Sequence, residues 1–246
     1  MSPRNLWVTT IGDELRLATN NRSKVVGVAL KDRAAILPAG HHANGAYWFD
    51  DQAGRFITST FYMDKLPEWV NKFNKRKLAE KYLSQKWETL YPIDTYQQST
   101  ADANNYENGI VDGEKAQLPL DLAALYKKHG YKIIRNTPFG CNLTFDIAKA
   151  AIEGENLGKN TDTDLLTISC SSTDYIGHQV GVNAVETEDC YLRLDQALAD
   201  FFAYLDKTIG KGNYLTFLTA DHGAVNNAAC LLYTSPSPRD GATSRM

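Results

Sequence analysis

The residues best suited to chemistry follow a short apolar run in the second half of the chain. Leu165–Ser169 carries no charge, is rich in apolar and β-branched residues, and is followed by Asp174 and His178. Such a run predicts a β-strand buried on both faces, and open α/β sheets bind ligands at the carboxyl ends of their strands. Because the two side chains stand four positions apart, one turn of helix can aim both at one point. A carboxylate oxygen and an imidazole nitrogen together suit zinc or a similar divalent ion.

The same arrangement occurs a second time. Tyr214–Leu218 predicts another buried strand, and Asp221 and His222 follow it closely. One Asp/His pair alone is more typical of a helix cap. Two pairs at two strand ends, separated by one amphipathic helix, favour a metal site. Since neighbouring strands lie about 4.8 Å apart, we expect the two pairs to converge.

A third predicted strand ends in cations. The run from Lys24 to Leu30 predicts a central strand, and Lys31, Asp32 and Arg33 follow it. Lys31 and Arg33 can bind an oxyanion, Arg33 through its planar fork and Lys31 as a point charge. From these residues alone, a solvated strand end is the more ordinary explanation.

The composition excludes several classes of protein. The chain has 246 residues, 43% hydrophobic and 22% charged, which is typical of one globular domain. A net charge of −3 and a pI near 6.0 give no electrostatic reason to expect nucleic acid or an anionic membrane as a partner. The apolar runs are all shorter than a membrane span. The four cysteines have no metal-site or disulfide spacing, so they do not identify a cellular compartment.

Helices and strands alternate between Leu118 and His222, which predicts an α/β fold with a doubly wound, mostly parallel sheet. The elements predicted there are a helix at 118–130, a strand at 131–134, a helix at 143–155, the strand that begins at Leu165, a helix at 186–209 and the strand at 214–218. Residues 89–115 lack periodicity and predict a long surface excursion. A helix followed by a central strand within the first thirty residues is typical of the middle of such a domain. We therefore expect the sheet to be incomplete at both ends.

The last residues have a different character. From Cys230 to Met246 the sequence has no periodicity and resembles the translation of a sequencing-library adapter. We therefore predict two parts, a catalytic-type domain over residues 1–229 and a non-native tail over residues 230–246.

Together the three motifs resemble those of a known enzyme family. Lys31-Asp32-Arg33, Ser172 to His178 and Thr219 to Gly223 are similar to the motifs of bacterial alkaline phosphatases in the type I phosphodiesterase/nucleotide pyrophosphatase branch of the alkaline phosphatase superfamily. Within it, the likeness is to the periplasmic, phosphate-irrepressible monoesterases of Bacteroidetes-type bacteria. The resemblance covers the chain from about Asn5 to Asn227 and implies a sheet of the alkaline phosphatase type.

The resemblance also implies roles for six residues. Asp174 and His178 would bind one of two zinc ions, and Asp221 and His222 would bind the other. Lys31 and Arg33 would hold the oxygens of the transferring phosphoryl group, an arrangement that the resemblance ties to phosphate monoesters. The family's reaction proceeds through a phosphorylated threonine.

Some family residues have no counterpart here. The strand Asp, the nucleophilic Thr and the following Asn of the family would precede Met1, and its last metal-binding His would follow Asn227. Two tetrahedral zinc ions need about eight ligand positions, more than four side chains supply. We therefore expect an internal fragment that has no phosphatase activity on its own.

Two alternatives remain open at this point. The chain can belong to a phosphodiesterase or nucleotide pyrophosphatase of the same superfamily, or to a non-catalytic α/β protein whose Asp/His pairs cap helices. The resemblance favours small phosphate monoesters as partners, with neither nucleic acid nor a membrane. It also implies a monomer that is periplasmic or secreted.

Overall fold

The computed structural model describes residues 1–104, 107–115 and 117–226. In these ranges helices cover both faces of a mixed sheet, so the predicted α/β class is confirmed. The tail at 230–246 lies outside the described residues, and the division at residue 229 stays a prediction.

Parallel pairing dominates the main sheet. Its strands are β1 (Val25–Ala29), β2 (Gly45–Asp50), β3 (Arg55–Ile57) and a later strand, β6 (Leu165–Ser169). Their spatial order is β3-β2-β1-β6, with β1 parallel to both β2 and β6 and with β3 antiparallel to β2. The carboxyl ends of β1 and β6 therefore lie side by side.

A short second sheet and eight helices complete the described part of the chain. The strands β4 (Lys86–Trp87) and β5 (Leu120–Asp121) pair in the antiparallel direction. The helices are α1 (Ile11–Ala18), α2 (Asp32–Ala39), α3 (Glu68–Lys75), α4 (Leu78–Leu83), α5 (Leu122–His129), α6 (Phe139–Glu155), α7 (Ser172–Val180) and α8 (Val185–Leu205). None of these helices combines the length and the apolar character needed to cross a membrane.

The two faces of the sheet contribute to separate apolar clusters. Val26 and Val28 of β1 belong to the larger cluster, and Ala29 belongs to the smaller one. Because side chains alternate across a strand, the two clusters lie on opposite faces. Ala35 and Ile36 of α2 belong to the smaller cluster, so α2 covers that face.

Close packing of α2 on β1 depends on Gly27. A Cβ atom at this position would lie 2.3 Å from the carbonyl oxygen of Ala35 and 3.0 Å from the Cβ of Ala39. Only glycine permits this separation between strand and helix. Since Lys31 precedes α2 directly, the same contact determines where that side chain begins.

Two predicted strands are wrong. Residues 131–134 belong to a 3-10 helix, Gly130–Asn136, in which Ile133 and Ile134 are fully buried. A short apolar run cannot distinguish a strand from a buried helical turn, and here packing against the neighbouring helices decides the outcome.

The second wrong strand is 214–218, which has no regular secondary structure. Leu215, Phe217 and Leu218 are at least 80% exposed. In the part of the chain that the structure describes, no strand pairs with this run. Its strand propensity is therefore not realised, because a strand needs a neighbour. The strand β6 is half-buried and not buried on both faces as expected, since among the described strands it pairs with β1 alone.

The long segment at 89–115 is attached to α8 through Asp189, although the sequence predicted a surface excursion. The fully buried carboxylate of Asp189 accepts hydrogen bonds from Trp87 Nε1, Leu90 N and Tyr96 Oη at 2.5–2.7 Å. Arg193 Nε pairs with it at 2.6 Å. A buried charge needs such partners, so this segment is anchored from within.

Gly27→Ala should destabilise the chain by about 1–3 kcal/mol, because the added methyl group pushes α2 away from β1. The measurement is urea unfolding followed by circular dichroism. Gly177→Ala is the matched control, since this helical glycine has nothing within 4 Å of an added Cβ. The control should gain about 0.5–1 kcal/mol. Equal effects of the two substitutions would contradict the packing explanation.

Glu186 is a second buried carboxyl group, but it lacks partners. It lies in the first turn of α8 with no exposed surface, and neither carboxyl oxygen has a hydrogen-bond partner among the described residues. Burial, together with the charges of Asp102, Glu107 and Asp189, raises the pKa of Glu186 to about 7. The protonated form therefore favours the folded state, and its contribution to stability is lost as the pH rises from about 4.5 through 7.

Glu186→Gln should raise the free energy of unfolding at pH 8 by about 2–3 kcal/mol and change it little near pH 4.5, because the amide carries no charge to bury. Urea unfolding at the two pH values measures the difference. Glu88→Gln, which removes an exposed carboxylate, serves as the control and should change stability by less than about 0.5 kcal/mol at either pH. A pH-independent effect of Glu186→Gln would contradict the prediction.

Candidate active site

Lys31 lies at the carboxyl end of β1 and is the N-cap residue of α2. Its Nζ atom donates to Asp174 Oδ2 at 2.6 Å and lies 4.3 Å from the centre of the Tyr175 ring. The two charged side chains are 28% and 26% exposed, so solvent reaches the pair only partly. The ion pair connects the ends of the two parallel strands β1 and β6.

Asp174 is in the first turn of α7, which begins three residues after β6. His178 lies one turn further along the same helix, with Nε2 at 3.2 Å from Asp174 Oδ1. The four-residue spacing therefore brings the two side chains together as the sequence predicted. The imidazole of His178 is 72% exposed and remains accessible to a ligand.

Asp221 and His222 reach the same place without a strand to carry them. His222 Nε2 lies 3.7 Å from Asp174 Oδ1 and 3.6 Å from Asp221 Oδ2. The carboxylate of Asp221 is 91% exposed. The structure thus brings His222 to Asp174, and Asp221 lies beyond His222 on the solvent side.

Arg33 is the second residue of α2 and its side chain is exposed. Within the described ranges it makes neither an ion pair nor a side-chain hydrogen bond. It lies on the first turn of the helix that Lys31 caps, so two cations stand at this end of the sheet.

The charges around Asp174 keep it ionised. Burial alone would raise the pKa of Asp174, but the hydrogen bond and charge of Lys31 and the charges of His178 and His222 outweigh it and hold the pKa below its usual value. The hydrogen bond to the Gly223 carbonyl and the charge of Asp221 raise the pKa of His222. An ionised carboxylate beside two imidazoles is the donor chemistry of a zinc site.

The side chains around Asp174 have part of the geometry of a metal site. Over residues 1–104, 107–115 and 117–226, no three His, Cys, Asp or Glu side chains form a group arranged to hold a metal ion. The pairs are nevertheless spaced suitably, because two ligands of a tetrahedral zinc lie about 3.3–3.6 Å apart when its bonds are about 2.0–2.2 Å. His178 Nε2 lies 3.2 Å from Asp174 Oδ1, and His222 Nε2 lies 3.6 Å from Asp221 Oδ2. The donor set therefore fits zinc, although the side chains do not yet close around one point.

Two hydroxyl groups precede Asp174 in the sequence, on Ser172 and Thr173. Ser172 is fully buried and its Oγ has no hydrogen-bond partner among the described residues. Thr173 Oγ1 donates to the carbonyl oxygen of Cys170 at 3.3 Å. The Ser172 hydroxyl is therefore closed to solvent, and the Thr173 hydroxyl is engaged with the backbone.

Sequence reasoning missed two residues of this site, Tyr175 and Arg135. Tyr175 lies under Lys31, and Arg135 Nη1 donates to Tyr175 Oη at 3.0 Å. Arg135 comes from the 3-10 helix that was predicted to be a strand. The position of Tyr175 next to Asp174 was the only sequence signal available.

The sequence of the chain is similar to one family model and to several known proteins. A family model described as type I phosphodiesterase / nucleotide pyrophosphatase matches residues 4–234. The alkaline phosphatase PhoV of Synechococcus elongatus is 56% identical over 239 residues, which are 97% of this chain and 43% of PhoV. A Myroides odoratus protein named calcium-transporting ATPase is 58% identical over 228 residues, 92% of this chain and 42% of that protein. The alkaline phosphatase PafA of Elizabethkingia meningoseptica is 54% identical over 228 residues, 92% of this chain and 41% of PafA.

The fold of the chain is also similar to that of one of these relatives. The crystal structure of wild-type PafA superimposes with a TM-score of 0.91 at 52% identity, covering 94% of this chain and 45% of PafA. The chain thus spans less than half the length of the curated relatives that it matches. The family resemblance of the motifs is confirmed: the chain belongs to the type I phosphodiesterase / nucleotide pyrophosphatase family.

Proposed function

We propose that this chain supplies part of the active site of a two-zinc phosphate monoester hydrolase, an alkaline phosphatase. The observation that carries the proposal is the meeting of three cationic or metal-binding groups at Asp174. Lys31 Nζ, His178 Nε2 and His222 Nε2 lie 2.6, 3.2 and 3.7 Å from its carboxylate oxygens. The names of PhoV and PafA support the same activity.

Asp174 and His178 would hold one zinc ion, and Asp221 and His222 the other. Bound zinc would supply Lewis-acid stabilisation of the phosphoryl oxygens. The contribution of the chain itself is to present an ionised carboxylate and accessible imidazoles on one side of Lys31.

Lys31 and Arg33 would bind the substrate phosphoryl group. A phosphate monoester has one more anionic oxygen than a diester, so two cations at the end of one strand are better matched to a monoester. Lys31 would exchange part of its contact with Asp174 for the phosphoryl oxygens. The exposed Arg33 can turn its fork towards the same group.

The substrate class, the oligomeric state and the cellular location are proposed from the family resemblance. We propose small phosphate monoesters as substrates, a monomeric enzyme and a periplasmic or secreted location. The alternative activity within the family is phosphodiester hydrolysis, and the two activities are separated by the following experiment.

The test uses a chimera, called here the PafA chimera, in which this chain replaces the segment of PafA that it matches. Lys31→Ala and Arg33→Ala should each lower kcat/KM for an aryl phosphate about 100-fold and for an aryl phosphate diester less than about 10-fold, because each removes a donor to the additional anionic oxygen. Steady-state kinetics with both substrates measure the ratio.

Lys72→Ala is the control, since Lys72 pairs with Glu68 on an exposed helix face and should affect neither substrate. Equal losses on both substrates would contradict the role of Lys31 and Arg33 in monoester binding. A PafA chimera that hydrolyses the diester faster than the monoester would favour the diesterase alternative.

Zinc binding is tested on the 246-residue chain itself. Asp174→Ala, His178→Ala and His222→Ala should each weaken zinc binding at least about tenfold, because each removes one donor from an already small set. Competition with a fluorescent zinc chelator measures the affinity. His129→Ala is the matched control, since His129 pairs with Glu114 instead and should leave the affinity unchanged. The same weakening in His129→Ala would show that zinc binds elsewhere.

A further inference from the structure

We propose that Tyr175, held in place by Arg135, is a positioning residue that keeps the Lys31 ammonium group aimed at the phosphoryl group. The inference rests on the proposed function, because it assigns the residues that prepare Lys31 for its substrate. It adds to the site a residue that acts through Lys31.

The Lys31 ammonium group contacts Asp174 and Tyr175. Its Nζ atom lies between Asp174 Oδ2, at 2.6 Å, and the face of the Tyr175 ring, whose centre is 4.3 Å away. An ammonium over an aromatic face is attracted by the negative charge density of the ring. Lysine has a flexible four-carbon stem, so without a second contact the group would follow Asp174 alone. The ring therefore restricts the positions that the ammonium can occupy.

Arg135 holds the Tyr175 ring in place. Arg135 Nη1 donates to Tyr175 Oη at 3.0 Å, and the guanidinium carbon lies 5.7 Å from the ring centre. Arg135 Nη2 also pairs with Asp51 Oδ2, at 3.0 Å, in the turn between β2 and β3. The Arg135 and Asp51 side chains are only 22% and 24% exposed. The hydroxyl end of the ring is thus fixed from the hairpin side of the sheet.

The charges around the Tyr175 ring are balanced. Lys31 and Arg135 place two cations around one ring, and Asp174 and Asp51 neutralise one cation each. When a phosphoryl group competes with Asp174 for the ammonium, the contact with the ring is retained because the ring carries no net charge. Tyr175 can therefore hold Lys31 in both situations, whereas an acidic residue at this place would compete with the substrate.

The contact itself is tested by NMR on the 246-residue chain. The Cε protons of Lys31 should be shifted upfield by the ring current of Tyr175, and Tyr175→Leu should abolish that shift. Tyr204→Leu is the matched control, since Tyr204 lies under Lys149, with 5.6 Å between Nζ and the ring centre, and should leave the Lys31 resonances unchanged. Lys31 resonances that are the same in the chain and in Tyr175→Leu would overturn the proposal.

The role in hydrolysis is tested in the PafA chimera. Tyr175→Leu should lower kcat/KM for an aryl phosphate about threefold to tenfold and change the value for the diester less than about twofold. In a Lys31→Ala background, Tyr175→Leu should cost nothing further, because it acts through Lys31. Tyr175→Phe keeps the ring and loses the hydrogen bond from Arg135, so its loss should be smaller than that of Tyr175→Leu.

The outcomes separate positioning from general structural support. Equal losses on both substrates, or losses that add in the double variant, would overturn the positioning role. A PafA chimera without phosphatase activity would overturn the proposed function and the role of Tyr175 in hydrolysis. In that case, loss of the Lys31 ring-current shift in Tyr175→Leu would still demonstrate the cation–π contact, but no role in hydrolysis would follow from it.

Discussion

The parallel pairing of β1 with β6 is the constraint on which the site depends. In this register Ala29 lies opposite Ser169, so the two strands end at the same level of the sheet. Lys31 and Asp174 follow these ends and meet at 2.6 Å although 143 positions separate them in the sequence. Parallel strands require a long connection, and here that connection contains most of the helices. The sheet therefore brings Lys31 and Asp174 together.

Partial burial then determines what the charges of the site can do. The carboxylate of Asp174 is 26% exposed, which is open enough to keep it solvated and closed enough to make its cationic neighbours effective. A fully buried pair would lose its attraction to the cost of desolvation, and a fully exposed pair would be screened. Asp174 can thus remain ionised while it is shared between Lys31 and the imidazoles. This is the condition that a residue with metal and substrate neighbours has to meet.

The sequence predicted the parts of the site that depend on short spacings. The four-residue interval between Asp174 and His178 needs only one helical turn, and the strand before it needs only its apolar run. The strand predicted at 214–218 is absent from the described structure, because a strand requires a partner that local propensity does not reveal. Tyr175 and Arg135 were missed for a related reason. Their contact joins α7 to a 3-10 helix, and aromatic and basic residues in such positions are common at any protein surface.

The position of Asp221 and His222 carries a consequence for metal binding. They lie on residues 211–226, where Tyr214 packs against the larger apolar cluster and Leu215, Phe217 and Leu218 are exposed. Asn183 Nδ2 donates to Asn226 at 3.1 Å, and Tyr214 Oη donates to Asp206 at 2.8 Å. Zinc bound by Asp221 and His222 would lie on this segment, next to the Asp174/His178 pair of α7. Part of the binding free energy would then be spent on ordering the segment, so the zinc affinity would be lower than the donor atoms alone would give.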